Sequence, residues 1–297
     1  MKVRTLSAAA LLAVLGVATV APVAADATAQ THSLNNTGKI VIEAGELDPE
    51  TDPVIDPEKP TESIDPKDPD LEKPGTPPGQ IGMLLASPLD FGTLKVKSTT
   101  QTATAAAYMA GPLAADGSSV VTDWDSDADK VERGNIVTWG DMRGTDAGYT
   151  ITAQMTQQFT HITDTSKALT GSTLTYNNAL LATRPDETTG DTTGGLIPAN
   201  NFTLGIDGAA AATATTIGAT AADTTIADSQ LIVNAAKDFG GGHFTLEFGQ
   251  SAGYTGTAGT KDTAGKAITL TIPQATSQNM STGTYEAVIT WTMNWVA

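Results

Sequence analysis

Tyr285-Glu-Ala-Val-Ile-Thr-Trp-Thr-Met-Asn-Trp295 is the stretch whose reading decides the fold. Tyr285, Ala287, Ile289, Trp291, Met293 and Trp295 fall on alternate positions. Glu286, Thr290, Thr292 and Asn294 fall between them, with Val288 the one apolar exception. Successive side chains of a strand point to opposite faces, so this alternation predicts a long strand with one apolar face. At about 3.3 Å per residue it spans roughly 33 Å, a length suited to the middle of a sheet.

Working back from that strand, every aromatic residue lies beyond position 90, which places the folded unit at residues 81–297. Further strands are expected at Ile136–Trp139, Gly148–Met155, Leu169–Tyr176, Phe202–Ile206, Gln230–Val233, His243–Phe248 and Ala267–Ile272, between clusters of Gly, Asn, Asp and Thr. Thr102–Ala110 and Asp228–Lys237 compete for a helix, but neither carries a 3.6-residue period. Gly205–Thr225 is low in complexity and reads as an exposed excursion. Many short strands with turn signals predict an all-β fold, an antiparallel β-sandwich or a barrel.

Ahead of this unit, Gly45–Gln80 holds nine of the 15 prolines, with Asp-Pro at 48–49, 52–53, 56–57, 65–66 and 68–69. Polyproline stiffness and like-charge repulsion predict a disordered, acidic, extended linker over residues 28–80. Residues 1–27 read as a secretory signal peptide: Lys2 and Arg4, an apolar run from Ser7 to Ala21, then Pro22 and small residues. The run is short for a bilayer of about 30 Å, so no membrane span is expected after cleavage. The protein is then secreted, and the lack of cysteine suits a bacterial surface.

The formal charge of −17, from 16 basic and 33 acidic residues, argues against nucleic acid and anionic lipid as partners. It leaves calcium to consider, because Asp123, Asp125, Asp127 and Asp129 alternate like hard oxygen ligands. Ala128 and Gly134 stand where an EF-hand loop needs Gly and Glu, so that motif fails; the competing reading is a solvated acidic loop. Gly240-Gly-Gly-His-Phe lacks a phosphate-cradling pattern and reads as a turn into the Phe244 strand. His161 and His243 stand apart, with no HExxH pair, GxSxG elbow or cysteine nucleophile, so no enzyme is expected. Two distant carboxylates of a glycosidase type are the one catalytic arrangement that spacing leaves open.

Three stretches carry a resemblance. Tyr285-Glu-Ala-Val-Ile-Thr-Trp-Thr-Met293 resembles the distal motif of the WxL domain of Gram-positive bacteria, Y-x-x-x-L-T-W-x-L, with Ile289 and Met293 in place of leucines. Asp141-Met-Arg-Gly-Thr-Asp-Ala-Gly-Tyr-Thr-Ile151 resembles its proximal motif, D-x-R-G-T-x-x-G-W-x-L, with Tyr149 for tryptophan and Ile151 for leucine. Ser87-Pro-Leu-Asp-Phe-Gly-Thr93 resembles the opening of that domain. The resemblance implies a WxL-type β-sandwich attached non-covalently to the cell wall, with peptidoglycan as ligand. It implies WxL-interacting membrane-anchored proteins and other WxL proteins as further partners. Tyr149, Ile151, Tyr285, Trp291 and Met293, with Trp295 beside them, are then candidates for the binding surface. The same spacing also fits inward core pairs, because residues two apart share a strand face.

Overall fold

The computed structural model describes residues 39–145, 147–206, 229–257 and 259–295. The signal peptide, the first part of the linker and most of Gly205–Thr225 lie outside the described residues. The chain divides into two units, Met1–Ile42 and Glu43–Ala297. In the first, Ile40, Val41 and Ile42 are exposed. The fold below is that of the second.

In chain order its strands are β1 Val54–Ile55, β2 Ser63–Ile64, β3 Ile81–Ala86, β4 Gln101–Thr104, β5 Tyr108–Ala110, β6 Val131–Arg133, β7 Asn135–Asp141 and β8 Tyr149–His161. Then follow β9 Thr173–Tyr176, β10 Ala179–Ala182, β11 Phe202–Gly205, β12 Gln230–Ala235, β13 Gly242–Phe248, β14 Ile268–Ile272 and β15 Tyr285–Trp295. All strand pairs are antiparallel, in sheets ordered β10-β13-β7-β3, β11-β9-β14-β4 and β12-β8-β15, with two small ribbons, β1-β2 and β5-β6. The fold is an all-β antiparallel sandwich. Its main core joins Trp139 and Phe244, Phe248, Tyr176 and Phe202, and Ile151 and Met155 from the three large sheets.

The expected strands recur here, most of them shifted by a residue or two at the ends, and β15 matches its predicted bounds. Both stretches that competed for a helix contain strands, β4 and β5 in one and β12 in the other. β15 differs in position: among the described residues it pairs with β8 alone and forms a sheet edge rather than a middle. Length and alternation do not distinguish an edge from a centre, because a half-covered edge strand shows the same period.

The larger departure is the acidic Pro-rich segment. Residues 43–80 fold against the domain instead of standing off as a spacer. Leu47, Val54, Ile64 and Leu71 bury themselves with Leu84, Leu85, Tyr108 and Ile136 in a second core. This core covers the far face of β7, which is why all seven residues of β7 are buried. Four of the five Asp-Pro pairs are turns, not polyproline rungs. Asp48, Asp56, Asp65 and Asp68 each accept, through Oδ1, the N–H two residues on, at 2.9–3.0 Å. An Asp at the first position and Pro at the second set up such a turn. Aliphatic residues between the turns supply the segment's share of this core with no aromatic of its own, and composition alone does not show this.

The segment is also pinned by charge. Arg133 donates from Nε and Nη2 to the two carboxylate oxygens of Asp56, at 2.9 and 2.6 Å, with both side chains almost wholly buried. Glu58 lies 3.8 Å from Arg133 and binds Ser251 through its hydroxyl and its N–H. Glu247 completes the group; its Oε1 accepts the Gly134 N–H at 2.7 Å, while Oε2 is buried with no partner among the described residues. Three carboxylates thus face one guanidinium. Burial first, and then the Glu58 charge, push the Glu247 carboxyl well above the usual glutamate range. A carboxyl with its pKa raised by folding binds its proton more tightly in the native state. Its contribution is therefore largest below the ordinary glutamate range and is lost as pH rises through the folded pKa. Glu247→Gln, which keeps the acceptor for Gly134, is expected to raise stability at pH 8 by about 1–2 kcal/mol. The gain should vanish near pH 4, as read by denaturant titration at the two pH values.

Candidate functional site

The two motifs, far apart in sequence, become neighbours through the β8–β15 pair. Met293 lies opposite Ile151, Trp295 opposite Tyr149, and Trp291 opposite Ala153. Pairing of strands thus brings all the candidate residues except Tyr285 into one short block; Tyr285 sits at the other end, opposite His161.

Within the block, burial separates the residues. Tyr149, Ile151 and Met293 are 3 %, 1 % and 7 % exposed, and Trp295 is 45 % exposed. Trp291 and Tyr285 are half-buried against the main core. The Tyr149 hydroxyl accepts the Trp139 Nε1–H at 2.8 Å and donates to the Gly240 carbonyl at 3.1 Å. Trp139, with no exposed surface, stacks on Phe244 at 5.6 Å. A tyrosine at 149 therefore does something a tryptophan cannot, because an indole N–H donates only. The glycine run belongs to the same arrangement. Gly240 has φ +84°, and a Cβ there would sit 2.8 Å from the Tyr149 hydroxyl.

The Asp-x-Arg-Gly portion fixes the entry to β8. Asp141 accepts two bonds from the Arg143 guanidinium, at 2.9 and 2.7 Å, and Arg143 donates onward to the Ala147 carbonyl at 2.7 Å. Gly144 turns the chain at φ +64°. This motif is a clamp on the loop that delivers Tyr149 to the core.

Trp291 meets an aromatic cluster. Its ring lies 6.1 Å from Tyr176, 6.3 Å from Phe202 and 6.1 Å from Phe248. One side of the indole is thus in the core while the residue remains partly accessible. Beside it runs a groove of about 660 Å³, walled by Tyr285, Ala287, Ile289 and Trp291 of β15 and by Leu89 and Phe91 opposite. Ser87, Asn135, Glu72 and Glu286 give it polar margins. Past Phe91 and Tyr285 a second hollow of about 690 Å³ continues it toward Thr282 and Lys95. The opposite wall, Leu89 and Phe91, alternates with exposed Pro88 and Asp90 in an extended run outside any sheet. Ser87 anchors that run by accepting the Ile136 N–H at 2.9 Å, and Phe91 meets Phe159 edge-on at 5.8 Å. Sequence reading marked this run as a domain opening and missed it as a wall. Its apolar-polar alternation from Pro88 to Phe91 was the available signal.

The acidic loop carries bonds of its own. Asp123 Oδ1 accepts the Asp125 N–H, Asp129 accepts the Thr122 hydroxyl, and Asp127 pairs with Lys130 at 3.5 Å. Among the described residues no three His, Cys, Asp or Glu side chains group as metal ligands. His161 and His243 also lie apart. His243 pairs with Asp52 at 3.1 Å, and His161 meets the Thr282 carbonyl at 3.2 Å and the Tyr285 ring edge-on at 5.1 Å.

The antiparallel sandwich thus brings the two motifs together on adjoining strands, beside an open aromatic-walled groove. A family model described as "WxL domain surface cell wall-binding" matches residues 29–296, and the chain belongs to this WxL family. No curated protein and no solved structure matches the chain. The family is one of wall-binding surface domains and not an enzyme family, which places the protein outside the cell and on the wall. Among the described residues, no helix is long and apolar enough to cross a membrane.

Proposed function

We propose that attachment to the wall is non-covalent and that its ligand is the glycan of peptidoglycan, held in the groove between β15 and Leu89–Phe91. The observation that carries this reading is the groove itself. Phe91, Tyr285 and Trp291 give it flat apolar walls, and Ser87, Asn135 and Glu286 give it hydrogen-bonding margins. Sugar rings offer the same combination of apolar faces and hydroxyl edges, so stacking and hydrogen bonding act together. Tyr149, Ile151 and Met293 then serve the site from inside, by holding β8 and β15 in register beneath it.

Charge is no help in approach. The sequence beyond residue 80 carries 10 basic and 20 acidic residues, so an anionic wall polymer would be repelled at long range. A neutral glycan escapes that repulsion. Binding to protein-stripped peptidoglycan, followed by co-sedimentation, is expected to hold or strengthen from 50 mM to 500 mM salt. A steep loss with salt would assign the attraction to ion pairing and overturn the groove assignment. The free edge of β15 favours one other reading, docking on a WxL-interacting protein by strand addition. That reading predicts saturable binding to a purified partner and none to bare peptidoglycan.

A further inference from the structure

The edge of β15 is unusual in what it lacks. Soluble proteins blunt exposed edge strands with lysine, proline, bulges or short length. β15 has eleven residues, and its only charged side chain is Glu286. Its register with β8 is irregular only near Glu286, Val288 and Ile289; from Ile289↔Met155 to Trp295↔Tyr149 it runs unbroken. Ile289–Trp295 is therefore a regular, uncharged strand with one side of its backbone unpaired by any strand among the described residues.

We propose that a second copy of this chain adds to this edge, antiparallel, about a two-fold axis through Thr292. The sequence of the edge supports this occupant. Centred there, Thr292 faces Thr292 of the second copy, Thr290 faces Asn294, Trp291 faces Met293, and Ile289 faces Trp295. Every polar side chain meets a polar one and every apolar side chain an apolar one, with no charge opposed. Thr–Thr and aromatic–aliphatic pairs are among the favourable cross-strand pairs. Trp295, 45 % exposed in the single chain, gains a neighbour. The interface is isologous, so the three-stranded sheet becomes a closed six-stranded one and does not propagate as a fibre. A centre at Thr290 would instead run the ladder into the irregular half of β15. The assignment goes beyond wall binding and does not rest on it.

The chain has no cysteine, which makes the test clean. In the full chain, Thr292→Cys places two thiols face to face, at the Cα separation of about 4.5–5.5 Å of directly opposed residues. Thr290→Cys places its two copies about 13 Å apart, beyond the reach of a disulfide. Both positions are exposed in the single chain, so neither change disturbs the core. Under mild oxidation Thr292→Cys is expected to give covalent dimer at least about tenfold faster than Thr290→Cys, given the steep distance dependence of bridging. Equal rates, or a faster Thr290→Cys, would overturn the register. Sedimentation velocity of the cysteine-free chain should show reversible dimer that grows with salt, since copies of charge −17 repel one another. It should be lost in Thr292→Lys, which sets like charges opposite at the axis. A monomer at every concentration and salt would overturn the proposal whatever happens at the wall.

Discussion

Arg133→Met is expected to destabilise the domain by about 3–5 kcal/mol and to release the acidic segment, because removing one partner of a buried ion pair leaves the other charge stranded. The effect should be large here because Arg133 faces more than one acid. Asp56 would lose both of its guanidinium bonds, at 2.9 and 2.6 Å, and Glu58 and Glu247 would remain buried beside it. Val54 and Ile64, with the Glu58–Ser251 and Asp52–His243 contacts, would then be left to hold the segment around the ribbon β1–β2 to the sandwich. Limited proteolysis should open the chain between 43 and 80 before the sandwich proper. Denaturant titration supplies the magnitude, and a midpoint within error of the parent would contradict the clasp. Asp56→Asn makes a useful companion, since it removes charge while keeping an acceptor for Arg133. It is expected to cost less than the arginine change.

Tyr149→Ala is expected to cost about 3–5 kcal/mol, the range for emptying a large aromatic from a core. Beyond the cavity, it strands the Trp139 indole N–H, which has no exposed surface, and the Gly240 carbonyl loses its donor. Tyr149→Phe separates the two contributions: the ring stays, and the cost falls to about 1–3 kcal/mol for the unsatisfied buried N–H. The ranking Ala well below Phe, and Phe below the parent, is read from thermal or denaturant midpoints. The same pair decides how a loss of wall binding is to be read. If Tyr149→Phe binds the wall normally while Tyr149→Ala does not, the residue acts by holding the fold. Loss of binding in a stably folded Tyr149→Phe would instead put the hydroxyl at the ligand.

β15 shows how far sequence carried the account. Its alternation from Tyr285 to Trp295 predicted its bounds and its apolar face, because period two is a direct consequence of the strand backbone. Alternation is silent on what lies beside a strand, so the free edge was not legible. The motif spacing likewise fixed that Trp291 and Met293 share a face, as Tyr149 and Ile151 do. It did not fix depth: Ile151 and Met293 are buried, whereas Trp291 keeps one side accessible. Depth is set by strands from elsewhere in the chain. Residues 43–80 misled for a different reason. Proline and acid content signals a spacer in general, but here four of the five Asp-Pro pairs close a turn by accepting the N–H two residues on, and Arg133 neutralises a carboxylate from 77 residues away. Local composition holds no trace of that partner.

The central claim, that glycan enters the groove beside β15, is met most directly by filling the groove. Ala287 lines it from β15, partly buried, and Ala287→Trp places an indole in the space without removing any existing contact. Co-sedimentation with protein-stripped peptidoglycan would be compared for the parent chain and Ala287→Trp, with matched melting temperatures as the control for folding. The account predicts that the parent sediments with the wall and that the folded variant stays in solution, a loss of about tenfold or more in affinity for a blocked site. Undiminished binding by the folded Ala287→Trp protein would contradict it and move the wall contact off this groove.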